Sequence, residues 1–111
     1  MHAEEPFDIV TFELIKSGLS EIAEEMMTTL YRTGRSVNTT QALDCSAGLA
    51  DAEGQLLVQA LALPGHLGTI PGVMEVMFHN FGNNMRAGDV YVSNDPYSVG
   101  LHLPDVVVVR P

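Results

Sequence analysis

Between residues 8 and 33 apolar side chains recur at steps of three and four: Phe12, Ile15, Leu19, Ile22, Met26 and Leu30. A helix with 3.6 residues per turn gathers them on one stripe, so the spacing predicts an amphipathic helix with that stripe as its packing face. Asp8 stands where an N-cap belongs. Glu21, Glu24 and Glu25 fall mostly off the stripe, and Arg32 and Arg35 lie near the C-terminal end, where positive charge suits the helix dipole. Gly34 can terminate the helix. Gly18 costs the helix about 1 kcal/mol relative to Ala, which close packing against another element would explain.

The polar run "RSVNTTQ" predicts a loop, after which the period changes from 3.6 to 2. Leu43, Cys45, Ala47 and Leu49 alternate to one face, residues 55–60 return, and "DAEG" between them supplies turn chemistry, with Gly54 able to take positive φ. A second loop, "LPGHLG", leads into a helix over 69–81 with Ile70, Val73, Met74, Met77 and Phe81 as its stripe. Thr69 can cap it, Pro71 is tolerated in the first turn, and Gly82 ends it. "NNMRAGD" is a loop, "VYVS" a short strand, and "VVVV" a buried strand.

Helix, two strands, helix, two strands is an α+β order. It predicts two amphipathic helices packed on a small, mainly antiparallel sheet. A buried strand needs neighbours and cover on both faces. The closing valine run therefore predicts that residues 1–111 are the N-terminal portion of a larger fold.

Composition narrows the function. Asp and Glu outnumber Lys and Arg by 14 to 5, a net charge of −9, which leaves no basic patch for nucleic acid or an anionic membrane. The single cysteine, Cys45, excludes an internal disulfide and fits a reducing compartment. No signal-peptide core and no membrane-length apolar run is visible, so a cytoplasmic location is expected. There is neither a G-x-G-x-x-G nor a Walker-type glycine loop, and any nucleotide in the reaction is expected on another chain.

Chemistry-bearing residues concentrate in "NDPYSVGLHLPD", residues 94–105. Asn94-Asp95-Pro96-Tyr97 suits a type I turn, with Asp95 as the side chain that closes it. His102 and Asp105 form H-x-x-D. Three residues apart on a regular strand they face opposite sides, but Gly100 and Pro104 break regularity and let both turn to one side. A His and a carboxylate together suit Zn, Mn or Fe(II). His66, ahead of the second helix, is either a core histidine, a helix-start cap or a neighbour of His102. His79 is expected on the surface and His2 in a frayed tail. Cys45 reads as a buried thiol, and Asp44 and Asp51 as turn residues.

Taken in order, "DIVTFELIKSGLSEIAEEMMTTLYRTGRSVN", "DCSAGLADAEGQLLVQA", "LPGHLGTIPGVM" and "GDVYVSNDPYSVGLHLPDVVVV" resemble the N-terminal region of the hydantoinase B/oxoprolinase family over nearly the whole chain. That family embraces the B subunits of ATP-dependent hydantoinases, 5-oxoprolinase, and acetone and acetophenone carboxylases. The resemblance implies a partner A-type subunit that binds ATP and phosphorylates a cyclic amide or ketone, and a B-type chain that completes hydrolysis or carboxylation. It further implies a divalent metal, Mn, Fe or Zn, held by His102 and Asp105 with a third ligand beyond Pro111. Asp95 and His66 would then line the site as catalytic residues, and Tyr97 and Asn94 would meet substrate. Val99-Gly100-Leu101 departs from the Gly-Gly then Thr common in the family, and without the third ligand the chain alone is expected to bind metal weakly. The alternative is a non-catalytic interaction subunit whose helix stripes and valine strand are interface.

Overall fold

In the computed structural model, residues 7–60, 66, 68–99 and 102–111 are described. Their elements run α1 (Ile9–Thr33), α2 (Val37–Thr40), β1 (Gly48–Ala50), β2 (Leu56–Gln59), α3 (Thr69–Phe81), a 3-10 turn (Gly82–Asn84), β3 (Tyr91–Ser93) and β4 (Val107–Val109). This is an α+β architecture. Among the described residues the strands form two antiparallel pairs, β1 with β2 and β3 with β4, where one small sheet was expected.

α1 begins where Asp8 accepts the Val10 amide at 3.0 Å, and Thr11 also donates to its carboxylate. These two donors, the hydroxyl first, hold the Asp8 pKa below its ordinary 3.8. The helix ends at Gly34, whose φ of −60° is not left-handed. Glycine is needed there for space: a Cβ would come within 2.8 Å of the Leu30 carbonyl oxygen and 3.0 Å of the Thr39 methyl group. Thr39 belongs to α2, a single helical turn inside the segment expected to be an irregular loop.

The face that α1 buries differs from the expected one. Ala23 and Met27 are its buried residues, and Tyr31 packs beside them. They meet Ala47 and Ala60, which flank the first strand pair and are joined by a hydrogen bond from the Ala60 amide to the Ala47 carbonyl, with Cys45 and Val58 at the margin. Phe12, Ile15, Ile22, Met26 and Leu30 are between 41% and 58% exposed, so most of the predicted stripe faces outward. The physical reason is the size of the partner surface. A short ribbon carrying alanines accepts one row of side chains from the helix, and Ala23 allows close approach. Among the described residues Gly18 has nothing within 4 Å of where a Cβ would stand, so close packing between them does not explain it.

The ribbon turns at Gly54, φ +82°, where Asp51 accepts the amides of Glu53 and Gln55 through Oδ1. α3 packs against the same ribbon: a Cβ on Gly48 would lie 2.7 Å from the Ile70 Cδ1, and one on Gly54 would lie 2.8 Å from the Phe78 ring. Adjacent strand residues point to opposite faces, so Ala47 toward α1 and Gly48 toward Ile70 place the ribbon between the two helices. Around α3 a second core gathers Val73, Met77 and Val99, with Tyr91, Val107 and Val109 packed on it. β4 is only half-buried, because Val108 is 61% exposed where a fully buried strand was expected.

The two cores are small. The radius of gyration is 16.0 Å, against about 13 Å for a compact chain of this length. Total accessible surface is 8450 Å², whereas a folded monomer of this mass exposes roughly 6,000 Å². Among the described residues no helix is long and apolar enough to cross a membrane.

Candidate functional site: a His, His and Asp cluster between three loops

Three irregular segments meet ahead of β1, α3 and β4. In the first, Leu43 takes φ 54°, a left-handed conformation uncommon outside glycine. The Asp44 amide donates to the Asn38 carbonyl of α2 at 2.9 Å. This sharp bend presents the Asp44 carboxylate sideways as the chain enters the ribbon. Its negative charge, after burial, is the second reason that the neighbouring Cys45 thiol has a raised pKa. Cys45 is a free thiol and only partly buried, where a buried one was expected.

In the second segment, His66 is fixed by its backbone. Its carbonyl accepts the Gln59 side-chain amide at 3.1 Å and the Thr69 hydroxyl at 2.8 Å, tying it to β2 and to the first turn of α3. Thr69 therefore anchors His66 instead of capping α3; Gly68, at φ +82°, occupies the cap position. The residue is 8% exposed. Its Nε2 lies 3.0 Å from the Asp44 Oδ1, and its Nδ1 is buried with no hydrogen-bond partner among the described residues.

The third segment is the H-x-x-D turn. The His102 amide donates to Asp105 Oδ2 at 2.9 Å, the Asp105 amide donates to the His102 carbonyl at 3.1 Å, and His102 Nδ1 lies 3.6 Å from Asp105 Oδ1. Gly100, one of the two residues expected to break strand regularity, lies outside the described residues; Asp105 and the His102 ring nevertheless come to one side. The rings of His66 and His102 stand 6.4 Å apart, edge to face. One potential ligand atom from each of Asp44, His66 and His102 falls within 4.8 Å of the others.

Asp95 is placed otherwise. Its Oδ1 accepts the Tyr97 amide at 3.0 Å, its Oδ2 accepts the Ser98 hydroxyl, and its carbonyl accepts the amides of Ser98 and Val99. Hydrogen bonding, from Ser98 first and Tyr97 next, holds its pKa below 3.8. This is a carboxylate closing its own turn, and it is not part of the three-residue cluster. The turn delivers Val99 into the second core. Tyr97 is 93% exposed and Asn94 is exposed, so neither side chain is packed into a core among the described residues. His79 is exposed in the last turn of α3. Asp44 is the residue that sequence reasoning assigned to a turn and that the structure brings to the histidines.

A sequence profile of the hydantoinase B/oxoprolinase family matches residues 8–111. The chain belongs to this family. It is 37% identical to 5-oxoprolinase 1 of Arabidopsis thaliana over 98% of this chain and 9% of that protein. Against the 5-oxoprolinase of Dictyostelium discoideum the identity is 33%, over 94% of this chain and 8% of the relative. The caprolactamase subunit beta of Pseudomonas jessenii is 32% identical over 94% of this chain and 18% of its own length. The chain thus spans less than a fifth of any of these three family members. No solved structure matches it.

Proposed function

We propose that this chain is the N-terminal part of a B-type subunit that completes ATP-dependent ring opening of a cyclic amide, or carboxylation of a related ketone, after a partner A-type subunit has phosphorylated the substrate. The supporting relatives are named for 5-oxoproline and caprolactam, both cyclic amides, and one is named as a subunit. The observation that carries the reading is the convergence of Asp44, His66 and His102, with Asp105 braced on His102. A cytoplasmic location suits ATP-dependent chemistry and the single free thiol.

The donor set fits a divalent cation. Imidazole nitrogens with carboxylate oxygens suit Zn, Mn or Fe, and two ligands about 2.0–2.2 Å from one ion lie roughly 3–3.5 Å apart, near the 3.6 Å between His102 Nδ1 and Asp105 Oδ1. His102 and Asp105 would hold the ion, which would polarise a carbonyl or lower the pKa of a bound water. The remaining work belongs to the chain. His66 presents a buried imidazole to the same space, Asp44 fixes its orientation, and Asp95 holds the loop carrying Asn94 and Tyr97, which are free to close on substrate.

Co-expression with an A-type subunit, followed by assays of ADP release and ring opening of 5-oxoproline, hydantoin and caprolactam, tests the proposal. Turnover that needs both proteins and is abolished in His102→Ala is expected. Turnover by this chain without a partner, or undiminished turnover in His102→Ala, would overturn it. The uncovered apolar face of α1 favours a second reading, a non-catalytic interaction subunit, for which undiminished activity of the His102→Ala assembly is the signature.

A further inference from the structure

We infer that the outward stripe of α1 is the seam of a two-fold dimer, in which α1 of a second copy of this chain packs antiparallel against it. Phe12, Ile15, Leu19, Ile22 and Met26 follow one another at steps of three, four, three and four. That is the 3.5-residue repeat by which two helices pack side by side over several turns. The row that meets the ribbon, Ala23, Met27 and Tyr31, steps by four instead and lies about a quarter-turn away around the helix. α1 thus has two packing faces. The described residues cover one of them and leave Phe12, Ile15, Ile22 and Met26 exposed.

A second copy is the occupant because the stripe is complementary to its own reverse. A two-fold axis between Ser20 and Glu21 sets Leu19 against Ile22 of the other copy, Ile15 against Met26, and Phe12 against Thr29 and Leu30. Thr29 suits an apolar neighbour: its hydroxyl already donates to the Glu25 carbonyl at 2.9 Å, which leaves its methyl group for the contact. Charge agrees. Glu13, Glu21, Glu24 and Glu25 lie off the seam, so a chain of net charge −9 brings no carboxylates together along it. Antiparallel pairing sets Arg32, in the last turn of α1, beside Asp8 at the start of the other α1 and opposes the two helix dipoles. Parallel pairing would stack Asp8 on Asp8 and Arg32 on Arg32. The residues that meet the ribbon lie in the C-terminal half of α1, so an antiparallel pair carries its two ribbons at opposite ends. Six side chains on each copy, most of them about half exposed, present together on the order of 1,000 Å², the lower limit of a specific interface. The dimer therefore forms at micromolar concentration, and the dilute chain keeps this face wet.

The test is sedimentation velocity of this protein through the micromolar range, where a reversible monomer–dimer equilibrium is expected. Ile15→Glu places a charge on the seam and should weaken the dimer at least about 100-fold. Leu14→Glu makes the same change one residue away, off the seam, and should leave it unaltered. Both positions are more than half exposed, so both variants should keep the fold, as read by circular dichroism. Register is read by a short bis-maleimide in a Cys45→Ser background: Ile15→Cys chains mixed with Met26→Cys chains should cross-link to each other, and Ile15→Cys chains alone should not. A monomer at every concentration overturns the inference and leaves the face to a larger partner, the rest of a family-length chain or an A-type subunit. Equal weakening by Leu14→Glu, or efficient cross-linking of Ile15→Cys chains to one another, also overturns it. None of these results bears on the ring-opening reading, which its own two-subunit assay decides.

Discussion

The Asp105 carboxylate meets His102 twice, once where Oδ2 accepts the His102 amide and once where Oδ1 faces the ring nitrogen. The two contacts make different demands. An asparagine retains an oxygen for the amide but loses the carboxylate charge. Asp105→Asn should therefore keep slow hydrogen exchange at the His102 amide, and Asp105→Ala should lose it. Amide exchange followed by NMR separates the two; equal exchange in both variants would show that the carboxylate does not brace the turn.

Met26 and Met27 are adjacent and chemically identical, yet one is 41% exposed and the other 1%. Met27→Ala opens a hole in the first core and should cost about 2–5 kcal/mol. Met26→Ala should fall within about 0.5 kcal/mol of the wild-type protein. Urea unfolding of both variants measures the difference, and similar losses would mean that α1 presents its other face to the ribbon.

Two glycines give opposite outcomes on replacement by alanine. At Gly54 the backbone is left-handed and the new methyl group would collide with the Phe78 ring, so Gly54→Ala should destabilise by at least about 1–2 kcal/mol. Gly18 stands in α1 with open space around it, and Gly18→Ala should stabilise by about 1 kcal/mol. Thermal melts of the pair provide the check, and a destabilised Gly18→Ala variant would reveal a contact at that position.

Asp95 contributes to the acid limb of stability. Its folded pKa lies below 3.8, lowered by the Ser98 hydroxyl and then by the Tyr97 amide. Near that pH the unfolded chain binds more protons than the folded one, so the contribution is present above 3.8 and disappears as pH falls through the folded value. Asp8 adds a contribution of the same sign at the start of α1. Asp95→Asn should therefore show a flatter decline in melting temperature on acidification. An unchanged slope would remove Asp95 from the acid transition.

Local order was legible where one stretch of chain decides it. The second long helix runs from Thr69 to Phe81 as its period implied, and Gly54 turns the ribbon as its φ requires. What failed were questions of partnership. Six apolar positions of α1 announce a stripe, but the pattern does not say that the ribbon will take the row of Ala23, Met27 and Tyr31 instead. Asp44 was beyond reach for the same reason: its neighbours in sequence resemble a turn, and its neighbour in space is His66. A left-handed Leu43, the local sign of that arrangement, leaves no mark in composition.

The spare surface of this fold has a calorimetric consequence. Denaturant slopes and the heat capacity of unfolding scale with newly exposed area. Here much of the apolar area, including Phe12, Ile15 and Ile22, is already wet in the folded state. Unfolding should thus raise the heat capacity by less than the usual ~12–15 cal/mol/K per residue. The transition should be broad in urea, and the curve of stability against temperature shallow, so that cooling and warming alter this protein less than they alter a tightly closed domain of equal length.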